Sequence, residues 1–131
     1  RDNWMNIPDQ SFDPSHIEGY HAHIYYRDQN QRQVAAKIRE AIEARFDVVL
    51  GRWRDEPVGP HPLPMYQVAF DKKQLPEILT WLMSVRGSLS ILVHCCTGRS
   101  DLLDHTAGAL WLGDELILDT AFFGDEIDRK G

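Results

Sequence analysis

Two short stretches of the same kind, Asp28-Gln29-Asn30-Gln31 and Asp71-Lys72-Lys73-Gln74, each stand just behind a run of aromatic and aliphatic residues. Each has the form of a capping box, an N-cap aspartate with a glutamine three residues on, which marks the start of a helix. Behind the first, Val34, Ile38, Ile42 and Phe46 recur at a spacing of four and predict an amphipathic helix over residues 30–45. Behind the second, Leu75, Ile78, Leu79, Leu82 and Arg86 share one face and predict a helix that stops at Gly87. The runs YHAHIYY and MYQVAF ahead of the boxes read as strands, as do FDVVLGRW and LSILVH behind the helices. The order strand, helix, strand, strand, helix, strand is the split βαβ, ferredoxin-like plan. The expected fold class is therefore α+β, an antiparallel sheet with two helices on one face and the other face open. Right-handed crossovers force the spatial order fourth, first, third, second, which makes the first strand central. The segments ALWLG and ELILD predict a C-terminal hairpin.

At 131 residues the chain suits one domain with a full hydrophobic core. Residues 1–18 read as an irregular N-terminal arm, 19–122 as the single folded domain and 123–131 as an acidic tail. Arg54 to Pro64 holds four prolines and is expected to be a loop. A net charge of −6 without a basic block argues against a nucleic-acid or anionic-membrane partner. No apolar run approaches the ~18 residues of a membrane span, and no leader pattern stands at the start. The arginine in first place implies loss of an initiator methionine. Cys95 and Cys96 are the only cysteines; neighbours bond each other only under strain, so two free thiols and a reducing cytoplasm are expected.

Strand periodicity carries the first functional signal. Residues i and i+2 share a face, so His21, His23 and Tyr25 lie opposite Ala22, Ile24 and Tyr26. The apolar sets belong against the helices, which leaves His21, His23, Gln67, Ser90 and His94 on the other face. The fourth strand runs antiparallel beside the first and brings His94 near His21. Three imidazoles from adjacent strands suit a divalent metal, so His21, His23 and His94 are the expected ligands. The competing reading is a set of ordinary hydrogen-bonded surface histidines. His61 is framed by prolines in GPHPLP and His105 follows Asp104 in LLDHT. His61 leads into the strand end beside Tyr26, so it joins His21 only if its loop folds back over the open face or if it reaches a second subunit. His16 has no partner pattern and is expected to be solvated.

The motifs YHAHIYY, GPHPLPMYQVAF, WLMSVRGSLSILVH and DHTAGALWLG together resemble the DOPA 4,5-dioxygenase family, in the same order and spacing from Ile17 to Asp119. His21, His23, His61, His94 and His105 all fall on that family's histidines. One departure follows L-V-H, where the family has proline and asparagine and this chain has Cys95 and Cys96. The resemblance implies extradiol ring-opening of a catechol with O2, using Fe(2+) or, in its place, another divalent metal such as zinc. A facial-triad site takes about three protein ligands; Glu18 and Asp104 are the nearest carboxylates to a histidine set. His61 and His105 are then the expected proton-transfer residues, with Asp104 orienting His105. Arg52, Arg54 or Arg86 would pair a substrate carboxylate. The implied partners are a small aromatic substrate, O2 and a second copy of the chain in a homodimer. Two other readings compete: a non-catalytic metal- or small-molecule-binding domain, and a structural dimerising module.

Overall fold

The computed structural model describes residues 10–124. Half of the expected arm (1–9) and most of the acidic tail (125–131) lie outside the described residues. The strands are β1 (Gly19–Tyr25), β2 (Val49–Leu50), β3 (Met65–Phe70), β4 (Ile91–Cys96) and β5 (Ala109–Leu112). The helices are α1 (Gln29–Arg45), α2 (Leu75–Val85) and the single turn α3 (Asp101–Asp104). The sheet runs β2-β3-β1-β4-β5 with every pairing antiparallel, so the fold is the expected α+β, ferredoxin-like split sandwich with β1 inside. Among the described residues, no helix is long and apolar enough to cross a membrane.

The two capping stretches start the helices by different routes. Asp28 accepts from Gln31 N at 2.8 Å, and Gln31 Oε1 accepts in return from Arg27 N at 2.7 Å, one residue earlier than in the usual box. Asp71 instead caps a 3₁₀ turn, Lys72–Gln74, accepting from Gln74 N at 3.2 Å, and Pro76 then opens α2. The core lies between helices and sheet. Ala35, Ile38 and Ile42 of α1 and Ile78 and Leu82 of α2 pack on Ala22, Ile24, Val68, Ile91 and Val93. Val34, expected on the buried face of α1, is 38% exposed because the stripe runs through Ala35 instead.

Other departures have local causes. The second strand shrinks to two residues as the chain enters the proline-rich loop. It stays tethered to β3 by Gly51 N to Gln67 O at 2.8 Å and by the Arg54–Met65 bridge. The fourth strand starts two residues late, because Leu89 N closes a turn onto Arg86 O at 2.9 Å, and it extends through both cysteines. The C-terminal hairpin does not form. ALWL pairs with β4, while ELILD crosses the sheet face irregularly, with Asp119 N bonded to Pro60 O at 2.9 Å. That crossing closes much of the face expected to be open: Leu63, Leu116 and Leu118 cover Tyr25, Met65 and Leu92.

This packing sets the expected response to truncation. Ile42→Ala and Leu82→Ala, both at fully buried sites, should each cost about 2–5 kcal/mol in urea unfolding. Val34→Ala should stay within about 0.5 kcal/mol.

Candidate metal centre

The alternation of β1 turns His21, His23 and Tyr25 away from the helices, and that of β4 turns His94 the same way. His21 stands opposite His94 in the ladder, with ring centres 5.2 Å apart; His23 and His94 are 5.1 Å apart and stacked. The proline-framed loop folds back within the same chain and sets the His61 ring 4.2 Å from that of His23. His105, just past the end of α3, lies 3.9 Å from His94. All five histidines singled out in the sequence thus meet in one cluster. His16 stands apart from them, 4.0 Å from Asp13.

Hydrogen bonds fix the tautomers. His94 Nδ1 lies 2.9 Å from Cys95 O, and His105 Nδ1 lies 2.7 Å from Asp101 O. A carbonyl only accepts, so both Nδ1 atoms carry the proton and both Nε2 atoms hold a free lone pair in the neutral ring. His23 Nε2 is 3.0 Å from His94 Nε2, so His23 must donate there. That leaves His23 Nδ1 unprotonated, buried and with no hydrogen-bond partner among the described residues. His61 Nδ1 is pinned by the Tyr25 hydroxyl at 2.7 Å.

A buried lone pair without a donor suits a cation. One nitrogen from each of His23, His61 and His105 falls within 4.8 Å of the others, as do the donor atoms of His21, His94 and Cys96. Burial keeps His23, His61 and His94 neutral. Burial, and then the neighbouring His105, pushes His61 down to about 4 and His94 down to about 3. Burial drives His23 well below its ordinary value too, followed by the surrounding imidazoles. Burial also raises Tyr25, which therefore stays a phenol.

The turn that carries His105 is braced rather than floating. Ser100 caps α3 by accepting from Leu103 N at 3.1 Å, and Asp104 accepts from Thr97 N at 3.0 Å and Thr97 Oγ1 at 2.7 Å. Asp104 thus ties α3 to the end of β4, and the carbonyl of Asp101, rather than Asp104, orients the His105 ring. Neither donor set contains a carboxylate. Arg86 donates to the carbonyls of Gly87 and Leu89, both at 3.2 Å. A cleft of about 490 Å³ opens beside His105, walled by Thr106, Trp111, Glu115, Leu116 and Leu118. Sequence reasoning passed over Tyr25 and Trp111. Tyr25 shared the parity of His23, whereas Trp111 reached this face only because β5 pairs with β4.

The profile of the Dopa 4,5-dioxygenase family matches residues 20–122. DOPA 4,5-dioxygenase of Amanita muscaria is 35% identical over 115 residues, covering 82% of this chain and 50% of the relative. An uncharacterized 21.2 kDa protein of Botryotinia fuckeliana is 37% identical over 110 residues, covering 76% of this chain and 60% of its own length. The chain therefore spans half to three-fifths of these curated relatives. A crystal structure from Nostoc punctiforme, described as "a putative dioxygenase", is 50% identical, with a TM-score of 0.81 over 85% of this chain and 95% of that one.

The neutral cluster predicts a pH dependence. His61 titrates near 4 in the folded chain and near ~6.5 unfolded, so between those values the unfolded chain binds more protons. Stability is then fully present above ~6.5 and lost as pH falls through about 4. The urea midpoint of cation-free protein should fall steadily from pH 7 towards pH 4, and an unchanged midpoint would contradict the buried, neutral assignment.

Proposed function

The chain belongs to the Dopa 4,5-dioxygenase family, and from that premise we propose that it opens the ring of a catechol with O2, using ferrous iron held by His23, His61 and His105. The observation that carries this reading is the orphaned Nδ1 of His23, buried in a set of three imidazoles that meets the cleft at His105. Ferrous iron bound there supplies the open coordination positions and the one-electron chemistry that O2 needs to react with a spin-paired catechol.

The protein's part is to hold and shape. His94 orients His23 through the Nε2 pair, the Asp101 carbonyl orients His105, and Tyr25 orients His61. Trp111, Leu116 and Leu118 give an aromatic ring an apolar wall and keep water from it.

A second ligand set has its own support. The 3.0 Å between His23 Nε2 and His94 Nε2 equals the ~3.0 Å that separates two cis nitrogens on an octahedral ion with ~2.1 Å bonds. That favours His23 and His94 as ligands of one ion, with His21, opposite His94 in the ladder, as the third ligand and His61 and His105 moving protons. The proposal also includes a homodimer, since Ile117 and Phe122 are 90% and 61% exposed. A reducing cytoplasm agrees with the two free thiols.

Reconstitution under anaerobic conditions with Fe(II), followed by O2 and a panel of catechols, should give oxygen uptake and a yellow ring-opened product. His61→Ala and His105→Ala should lose iron binding and more than ~100-fold in turnover, while His21→Ala keeps the iron. Loss of iron in His21→Ala with retention in His61→Ala would favour the second ligand set. Full iron occupancy without oxygen uptake on any catechol would overturn the enzymatic reading.

A further inference from the structure

Cys96 takes no part in the reading above, yet its position is closely specified. It follows His94 by two residues in β4 and so shares its face. In the ladder Gly19 stands opposite Cys96 and His21 opposite His94, which makes the thiol a diagonal neighbour of His21. Gly19 has no side chain to stand between them, and a Cβ there would press to 2.9 Å from Phe70 O. Cys95 points to the opposite face, buried, with Sγ 4.0 Å from Asp104 Oδ1. The vicinal thiols therefore face apart, and Cys96 keeps its thiol.

His21, His94 and Cys96 bring one nitrogen, one nitrogen and one sulfur within 4.8 Å of one another. His21 and Cys96 also line an open cleft of about 420 Å³ that shares no lining residue with the one at His105. Glu18, Asp47 and Asp71 stand on the walls of that cleft, a negative approach that concentrates cations.

We propose that His21, His94 and Cys96 form a second cation site, selective for a thiophilic divalent ion of the zinc class. Two imidazoles and a thiolate are a borderline-soft donor set, and three protein ligands leave a fourth position for water from the cleft. As the sulfur–metal bond forms, the Cys96 thiol releases its proton to solvent. The site shares His94 with the cluster. Because His94 Nε2 is the acceptor that holds His23, a cation on that nitrogen breaks the contact and loosens the first donor set. A zinc-class ion at this site therefore antagonises a cation held by His23, His61 and His105. The proposal stands whether or not the first set turns over a catechol.

Cobalt(II) titrated into the cation-free full chain reports on it, since thiolate ligation gives a charge-transfer band in the near ultraviolet that imidazoles alone do not. The band should appear in the wild type, vanish in Cys96→Ser, persist in Cys95→Ser and persist in His61→Ala. Zinc should bleach it. Should Cys96→Ser fold poorly, zinc protection of wild-type Cys96 from alkylation, located by peptide mass, reads the same contact. It should slow that labelling at least tenfold. No band in the wild type, a band that survives in Cys96→Ser, or labelling unchanged by zinc would overturn the site.

Discussion

Every placement in this protein depends on β1 being paired along both edges. Its hydrogen bonds to β3 and β4 hold a seven-residue strand in one register, with His21 between Ala69 and His94 and His23 between Gln67 and Leu92. Side-chain period along a strand is two, so a slip of one residue would turn both imidazoles into the helix-facing core and Ala22 and Ile24 out of it. The core admits no such exchange. Ala22 and Ile24 are wholly buried against α1 and α2, and packing at that density does not accept rings carrying polar nitrogens. The hydrophobic layer thus fixes the histidine layer behind it.

That second layer is an unusual thing to bury. Polar rings removed from water must find partners, and here four of the five imidazoles settle part of their demand locally. Two donate to backbone carbonyls, one meets Tyr25, and His23 donates to His94. Neutrality is the second economy, since adjacent imidazolium ions at these distances would repel strongly. What remains buried without a partner in the cluster, among the described residues, is the lone pair on His23 Nδ1. An apolar residue at that position would leave no such uncompensated nitrogen, and the cation proposed above would give it a partner.

Much of this was legible in the residues themselves. The capping stretches located both helices, and parity placed His21, His23 and His94 together, because both signals are local and periodic. Asp28 and Asp71 do bind the backbone amides that the pattern assigns to them. The misreadings occurred where periodicity gives out. Val34 and Ala35 differ little as helix residues, and only the direction of α1 across the sheet decides between them. ELILD alternates like a strand, but β5 already occupies the edge of β4 and the segment bonds to Pro60 instead. Nothing in the spacing of GPHPLP told whether His61 turns back over its own sheet, since that depends on contacts made some sixty residues later with Asp119.

Those irregular segments divide the labour of the site in a definite way. The sheet supplies rigid positions: His21, His23, His94 and Cys96 sit on backbone that is paired on its neighbours and cannot move without breaking the ladder. The loops supply the rest, because His61 comes from the proline frame and His105 from a turn tied down by Asp104 and Thr97. The cleft wall at Trp111, Glu115, Leu116 and Leu118 likewise belongs to the edge strand and the segment that crosses the face. Among its described lining residues Glu115 is the one acidic side chain. The strands thus fix four of the six donor residues, while the placement of His61 and of the cleft wall depends on two segments that lock each other through Asp119 and Pro60.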